Sequence, residues 1–403
     1  MRLKLYSELL LLPLAFAPCL NAQEPANAPE IRAQISLAES LLGKTPDRGA
    51  ILYFLAASHA LLQESHEAMD NLKQCVALRE GFDPLGERAF AGLQDSDDFK
   101  KLIEQVHKDF PFKTQARLAF TSKERDLVPE GLAYVPTQDF FLLSSLHRKK
   151  IVKISSEGKF SDFVPGDRYD LLPVLGIRFN PSDGSVWSNS WVDNGRTELL
   201  HFDKSGTLLG RFSMADDVKH GFNDLVVLND GNVLLTDTVA HKLYRFDAHA
   251  HTFAEMKLSR ALLMPNGIAV TGDGRIVYVA DQIGVIRLDP LSGESAEVDP
   301  GPHSTLAGAD GLYWHRGQLI AVQNGIGTPR IAVFQLASDS LHVTKTTVLE
   351  SRSSFAVLPT TGALKDDDFY FIVNSQLDNL NGDRVLDVTK LEPVRIAKLR
   401  IPQ

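Results

Sequence analysis

The sequence is poor in cysteine. Only two cysteines, Cys19 and Cys75, occur in 403 residues. Cys19 falls in an N-terminal segment that has the features of a cleaved leader, so Cys75 would stand alone in the mature chain. A lone cysteine excludes an intramolecular disulfide and a zinc site built from cysteines.

The sequence also lacks an excess of positive charge and several common nucleotide and nucleophile motifs. Lysine and arginine number 42 against 51 aspartates and glutamates, which gives a net charge of -9. A large basic surface for nucleic acid is therefore excluded, and we expect no nucleic-acid partner. No GxSxG, Walker or dinucleotide-binding glycine motif stands in a usable context, which argues against serine hydrolases, nucleotide enzymes and NAD enzymes.

The longest apolar run near the N-terminus, residues 9–20, is too short to span a bilayer comfortably. Arg2 and Lys4 precede it, and Ala22 offers a small residue for cleavage. This order is typical of a secretory signal, so we predict a signal peptide over residues 1–22. The protein is then expected to be exported, periplasmic or secreted, with no membrane span after the signal is removed.

Residues 30–110 carry apolar side chains at helical spacing and are predicted to form a small all-α domain. The first helix has its apolar face predicted from Ala33 to Leu42, and Ser65 is a candidate cap for the third. Within that third helix Ala68, Leu72 and Cys75 resemble the small, large, small positions of a tetratricopeptide repeat. Two interpretations stay open, a helical appendage packed on the main domain or a site for a protein partner.

After a predicted linker over residues 111–126, residues 127–403 change character. Short alternating apolar runs are separated by turn pairs such as Asp183-Gly184 and Asp230-Gly231. One four-strand phrase begins again at intervals of about 45 residues. Its six starting positions are Glu130, Gly176, Asn223, Asn266, Asp310 and Thr360. Another small or polar residue follows each start by about 14 positions, at Ser144, Ser190, Asp237, Asp281, Asn324 and Asn374.

Six copies of a four-strand unit predict a six-bladed β-propeller. In the last copy we assign the third strand to residues 384–388 and the fourth to residues 394–399. A β-sandwich is the alternative, but a sandwich has no reason to restart one phrase six times. Whether residues 116–122 help to close the ring is left open.

The first strand of each propeller blade lines the central channel, so the six starting residues are expected to meet in one ring. Two carboxylates and two carboxamides in that ring, Glu130, Asp310, Asn223 and Asn266, suit a hard cation such as Ca²⁺. The absence of thiol and imidazole from the ring disfavours softer metals. Asn266-Gly267 and Asp310-Gly311 could alternatively be ordinary turns.

Four phrases at the starts of these units are similar to those of the gluconolactonase/regucalcin (senescence-marker protein) propellers, and more distantly to the paraoxonase and diisopropyl-fluorophosphatase propellers. The phrases are PEGLAY at 129–134, FNDLVV at 222–227, PNGIAV at 265–270 and ADGLYW at 309–314. The resemblance implies that Glu130, Asn266 and Asp310 bind a divalent metal, and that Asn223 touches metal or substrate. It also implies a role for Asp310 near the attacking water.

One position departs from the sugar-lactone members of that family, which carry an arginine two residues before the first asparagine. Here the residue is Gly221, which argues against a sugar acid lactone as substrate. His220 and Phe222 are candidates to supply part of the missing substrate contact. Asp224 is a second candidate base beside Asp310.

These observations predict an exported hydrolase of a lactone or related ester, in which a divalent cation, Ca²⁺ by preference, polarises the carbonyl and activates water. The alternative is a non-enzymatic binding module in which the metal is structural. The four oxygen-bearing ring residues favour the enzyme, while Gly221 and the helical repeats favour the binding module.

Overall fold

The computed structural model describes residues 27–192, 195–381 and 384–403. The predicted signal peptide and Cys19 lie outside the described residues. Within them the chain folds as a helical segment followed by a six-bladed β-propeller, as the sequence predicts. None of the helices in this described part has the length and apolar character needed to cross a lipid bilayer.

The helical segment contains four α-helices within the described residues. They are α1 (Ala28–Leu41), α2 (Arg48–Leu61), α3 (Ser65–Leu78) and α4 (Asp97–Asp109), with 3₁₀ turns at Pro84–Gly86 and Arg88–Leu93. The Asp47 carboxylate caps α2 by accepting from the Ala50 N–H. Ser96 caps α4 in the same way through the Phe99 N–H, and Asp97 and Asp98 in its first turn suit the helix dipole.

Two details of the predicted helices are corrected. The buried face of α1 is Ala28, Ile31, Ile35 and Ala38, whereas Ala33 and Leu42 are exposed. Ile35 was predicted correctly, and Leu37 and Leu41 are partly buried against the same core. Ala33 lies two positions from Ile35 and so almost opposite it around the helix, and Leu42 follows the last helical residue. Ser65 is the first residue of α3 rather than its cap, and the side chain at the capping position, Glu64, makes no capping bond.

Five of the propeller's six sheets follow the predicted strand order from the channel outwards. Blade one is β2 (Pro129–Val135), β3 (Phe140–Ser145), β4 (Lys150–Ser155) and β5 (Phe160–Val164). Blade two is β6 (Val174–Phe179), β7 (Val186–Trp191), β8 (Thr197–Phe202) and β9 (Leu208–Phe212).

Blade three is β10 (Phe222–Val227), β11 (Val233–Asp237), β12 (Lys242–Asp247) and β13 (Thr252–Glu255). Blade four is β14 (Ile268–Val270), β15 (Val277–Asp281), β16 (Gly284–Leu288) and β17 (Ser295–Glu297). Blade five is β18 (Ala309–His315), β19 (Gln318–Gln323), β20 (Arg330–Leu336) and β21 (Val343–Ser351).

Blade six is built from both ends of the propeller segment, and here the prediction was wrong. Its order from the channel is β22 (Gly362–Lys365), β23 (Asp368–Ile372), β26 (Arg395–Arg400) and β1 (Arg117–Thr121). The predicted fourth strand is therefore the third. The predicted third strand lies in a separate two-stranded hairpin, β24 (Leu380–Asn381) with β25 (Arg384–Val385).

The strand β1 comes from the segment predicted as a linker, and it pairs antiparallel with β26. Its Phe120 ring stacks on Tyr370 of the same blade with ring centres 5.9 Å apart. This pairing joins the beginning of the propeller to its end and covers what would otherwise be an open sheet edge.

The helical segment packs directly on one end of the propeller. Its apolar core is continuous with Leu263, Ile283, Ala307 and Ile326 from the loops of blades four and five. Backbone hydrogen bonds add to this contact, because the Asp83 N–H donates to the Ile326 carbonyl at 3.0 Å. The interpretation as an appendage packed on the main domain is confirmed, and we call this segment, residues 28–109, the helical cap.

Candidate active site

Strand pairing fixes which residues occupy equivalent ring positions. The inner strands of blades one, two, three and five have a register shift at the channel end, which lies between Pro129 and Leu132 in blade one and between Val174 and Ile177 in blade two. Aligning these shifts makes Leu175, not Gly176, the equivalent of Glu130. The ring is therefore Glu130, Leu175, Asn223, Asn266, Asp310 and Thr360. The sequence alignment was one residue out in blade two because Gly176 matches the glycine that follows the ring position elsewhere.

Neighbouring inner strands approach each other closely at this ring. A Cβ on Gly267 would lie 2.9 Å from the Asp310 carbonyl oxygen, and one on Gly311 would lie 2.9 Å from the carbonyl oxygen of Thr360. The Thr360 hydroxyl in turn donates to the Glu130 carbonyl at 3.0 Å, which closes the circle. Neither glycine has a positive φ. The alternative that these pairs are ordinary turns is ruled out because Asp310 and Gly311 lie within β18 and Asn266-Gly267 leads directly into β14.

The four predicted metal ligands, Glu130, Asn223, Asn266 and Asp310, all line one chamber of about 360 Å³. This volume is within the range of small-molecule sites. The two acidic residues, Glu130 and Asp310, are both buried. Residues some 180 positions apart in the chain thus share one cavity at the channel mouth.

The two ring carboxyl groups influence each other and have unusual pKa values. Burial raises the pKa of Asp310 to about 7, although hydrogen bonds from Asn324 and Asn266 oppose this effect. Burial also raises the pKa of Glu130 well above its usual range, and the nearby charges of Asp310 and Asp224 add to the increase. Without a compensating positive charge, two ionised groups in this position repel each other.

The donor set at the ring fits a hard cation. The Glu130 Oε2 and Asn266 Oδ1 atoms are buried and have no hydrogen-bond partner in the described protein. Buried polar atoms are normally satisfied, so such unpaired oxygens indicate a missing partner. Within the described residues no group of three or more histidine, cysteine, aspartate or glutamate side chains could hold a metal. Amide oxygens from Asn223 and Asn266 would therefore have to complete the ligand set, as Ca²⁺ accepts.

Neighbouring residues hold the ring side chains in place. The Asn324 amide donates to Asp310 Oδ2 at 2.5 Å and to the Pro359 carbonyl at 3.0 Å. The Asn223 amide donates to the Thr238 hydroxyl at 3.0 Å, and this hydroxyl donates onward to the Pro265 carbonyl. The Asn223 brace uses an amide hydrogen and leaves the Asn223 side-chain oxygen available to a ligand, whereas the Asn324 brace uses Asp310 Oδ2 as its acceptor and leaves Oδ1 unused by that bond.

Beneath the ring the channel holds a buried ion pair that the sequence interpretation missed. Arg178 Nη2 lies 2.6 Å from Asp224 Oδ2, and the Arg178 guanidinium lies 5.5 Å from the ring centre of Tyr313. Arg178 and Tyr313 occupy equivalent positions in blades two and five, which face each other across the axis of a six-bladed ring. Asp224 is committed to this pair and to backbone amides, so it is a poorer candidate base than Asp310.

The structure does not bring His220 and Phe222 together with the four ring residues. Phe222 is fully buried in the aromatic core of blade three, and His220 is buried with its Nδ1 atom 2.5 Å from Asp237 Oδ2. The expectation that Phe222 contacts substrate is corrected, because the alternation of β10 turns it away from the ring position. At Gly221, a Cβ would lie 2.5 Å from Val239 Cγ2, so an arginine there would require rearrangement.

The helical cap closes over the chamber, which sequence analysis did not anticipate. Its contribution to the lining comes from Ile31, Gln34, Tyr53, Phe54, Ala57, Ser58, Leu61 and residues 86–89. Phe54, Ala57, Ser58 and Leu61 fall at the helical spacing i, i+3, i+4, i+7, so one face of α2 points at the chamber. The spacing is visible in the sequence, but nothing in the sequence says which surface this face covers.

Comparison with known proteins shows similarity of fold. No protein-family model and no curated protein matches the chain. Among solved structures, virginiamycin B lyase from Staphylococcus aureus is 16% identical, with 72% of this chain and 100% of that chain covered and a TM-score of 0.49. A gluconolactonase from Xanthomonas campestris is 16% identical, with 68% and 86% covered and a TM-score of 0.46. The PQQ-bound aldose sugar dehydrogenase from Streptomyces coelicolor is 14% identical, with 72% and 99% covered and a TM-score of 0.49. At this level the likeness concerns the propeller alone.

Proposed function

We propose that the protein is an exported hydrolase of a lactone or related ester that uses a divalent cation, Ca²⁺ by preference. Glu130, Asn223, Asn266 and Asp310 would hold the cation. The observation that supports this most strongly is that these four side chains line one chamber while Glu130 Oε2 and Asn266 Oδ1 are buried without a partner. A carbonyl-bearing molecule in that chamber would meet all four.

A bound divalent cation supplies Lewis-acid polarisation of the carbonyl and lowers the pKa of water. Asp310 is the candidate general base, because its carboxylate faces the chamber beside the other ring oxygens. Asn324 fixes that carboxylate through the 2.5 Å hydrogen bond to Oδ2. A base held in one orientation abstracts a proton more effectively than a mobile one.

Calcium binding is tested by calorimetry after exhaustive dialysis against chelator. We expect Glu130→Gln and Asp310→Asn each to weaken Ca²⁺ binding by at least about tenfold, since each removes one of two charges that face the ion. Asp289→Asn, in an exposed turn remote from the ring in sequence, is the matched control and should bind as the unaltered protein does. Unchanged affinity in both ring variants would remove the cation site from the proposal.

Hydrolysis is tested on a panel of lactones and aryl esters with and without chelator. We expect turnover that requires the cation and falls about 100-fold or more in Asp310→Asn, the scale of a lost general base. Asn324→Ala should lower kcat more than it changes KM, because it loosens Asp310 without removing a ligand oxygen. A flat panel from a protein that binds Ca²⁺ tightly would favour the alternative, a binding module with a structural metal.

A further inference from the structure

The chamber lining divides into polar and apolar parts. Its propeller floor carries the polar ring together with Thr238, Gln282 and Asn324. The wall from the helical cap combines a hydrocarbon patch with the polar side chains of Gln34, Tyr53, Ser58, Glu87 and Arg88. Four of the cap residues in that wall are hydrocarbon in character at the chamber surface: Ile31, Phe54, Ala57 and Leu61. Trp191, Leu175 and Met264 extend the apolar lining onto the propeller side.

The apolar wall is held rigidly in place. The Asp47 carboxylate, directly before α2, accepts hydrogen bonds from the Thr305 hydroxyl at 2.8 Å and the Leu306 N–H at 3.0 Å. The Thr328 N–H donates to the Asp83 carbonyl at 3.0 Å, which adds a backbone contact between the propeller and the helical cap. With a shared apolar core between these contacts, the helical cap acts as part of the binding site in the folded protein.

A pair of charged groups, one from the helical cap and one from the propeller, lies at the edge of the chamber. Arg88 and Asp378 both line it, form an ion pair at 3.4 Å and have side chains 44% and 53% exposed. They therefore mark the solvent-facing side. A polyhydroxylated ligand would place hydroxyl groups against hydrocarbon, where an unpaired polar group is costly.

From this division we infer that the chamber takes an amphipathic small molecule, a lactone or ester whose carbonyl faces the ring and whose aliphatic or aromatic body lies against the helical cap. The inference rests on the proposed function for the carbonyl end only. The apolar body follows from the wall that α1 and α2 contribute. The helical cap thus selects the substrate, while the propeller holds the reacting group.

Binding is tested with two lactams that have the same ring size and resist hydrolysis, those of δ-decalactone and of glucono-δ-lactone. Titration is followed by calorimetry and by tryptophan fluorescence, to which Trp191 in the chamber lining contributes. Burial of even part of the pentyl chain should make the decalactone lactam bind at least about tenfold more tightly. Equal binding of the two, or preference for the hydroxylated lactam, would overturn the inference.

A matched pair of variants tests the role of the helical cap. Ala57→Phe adds a ring where Ala57 lines the chamber and is half-buried, and should weaken binding of the decalactone lactam by about tenfold or more. Ala33→Phe makes the same change on the exposed face of α1 and should leave binding unchanged. An Ala57→Phe protein that is folded by circular dichroism and binds normally would contradict the assignment. If that variant does not fold, the lactam ranking in the unaltered protein still decides.

The outcomes separate this inference from the proposed function. Selective binding of the decalactone lactam without cation-dependent hydrolysis would support the inference of an apolar ligand and refute the proposed enzymatic activity. Cation-dependent hydrolysis with no preference for the decalactone lactam would support the proposed enzymatic activity and refute the inference of an apolar ligand.

Discussion

The buried carboxylate of Asp47 provides a quantitative test of how the helical cap is attached. It accepts hydrogen bonds from Ala50, Thr305 and Leu306 and is 2% exposed. Burial raises the pKa of Asp47 to about 6, although these hydrogen bonds and the charge of Arg330 oppose the increase. The contact that docks the helical cap is therefore made by a carboxylate that is costly to ionise where it lies.

The sign of the pH dependence follows from that increase. Between the ordinary pKa of an aspartate and a pKa of about 6, the folded protein binds more protons than the unfolded chain, so the contribution of Asp47 to stability falls as pH rises. At about 1.4 kcal/mol per pKa unit, the loss between about pH 4.5 and pH 7 is about 2 kcal/mol. Glu80, whose pKa is raised to about 8 by burial and by the charge of Asp47, titrates in the same direction.

The perturbation is Asp47→Asn, which keeps a side-chain oxygen but cannot ionise. Free energies of unfolding are measured by denaturant titration at several pH values for this variant and for the unaltered protein. We expect the difference between them to move in favour of the variant by about 2 kcal/mol from about pH 4.5 to pH 7. A difference that is independent of pH, or that moves the other way, would refute the reasoning.

Asp289→Asn serves as a control of opposite sign. Asp289 lies in an exposed turn, and hydrogen bonds from the backbone amides of Ser292 and Leu291 lower its pKa. Its ionised form stabilises the folded state, so the corresponding difference should move against the variant as pH rises towards the ordinary pKa of an aspartate and should stay nearly constant from about pH 4.5 to pH 7.

Two further substitutions test the attachment of the helical cap and the closure of the propeller. Gly327 has a φ of +90°, and a Cβ there would lie 1.9 Å from the Asp83 carbonyl oxygen. Gly327→Ala should therefore lower the melting temperature clearly more than Gly293→Ala, because Gly293 has a φ of +77° but lies in open space. Equal losses in the two proteins would contradict the close contact. Phe120→Ala in β1 should lower the free energy of unfolding, measured by denaturant titration, by about 1–3 kcal/mol. Leu118 of the same strand is 51% exposed, so Leu118→Ala should change it by no more than about 0.5 kcal/mol. A Phe120 effect as small as that of Leu118 would mean that β1 does not stabilise blade six.

Much of the propeller could be predicted because its information is local and repeated. Alternating apolar residues specify a strand, and glycines such as Gly184 and Gly231, with φ of +77° and +83°, specify the turns between strands. Since the unit recurs, an error in one copy is exposed by the others. The repeat also predicted that Glu130, Asn223, Asn266 and Asp310 share a site, because equivalent positions of successive blades must face the same channel.

The errors fall where equivalence between copies is broken. Blade two has Leu175 at the ring position, and a leucine gives no polar signal by which to set the register. Blade six takes its outer strand from residues 117–121, far from the rest of the blade in sequence. A repeat pattern describes strands that follow one another in the chain and does not predict pairing between strands far apart in sequence. The last strands were therefore assigned in the order in which they occur along the chain.

The sequence by itself determined the repeated strands, the axis on which they converge and the oxygen-bearing residues at its mouth, because each of these depends on the chemistry and spacing of nearby residues. Tertiary structure alone decided that Arg178 and Tyr313 meet beneath the ring and that the helical cap covers it. Those contacts join surfaces that are separate in the chain, and each surface taken alone would read as an ordinary helix face or an ordinary strand. They arise only when burial of the shared apolar core around Leu263 and Ile326 brings the helical cap onto the propeller.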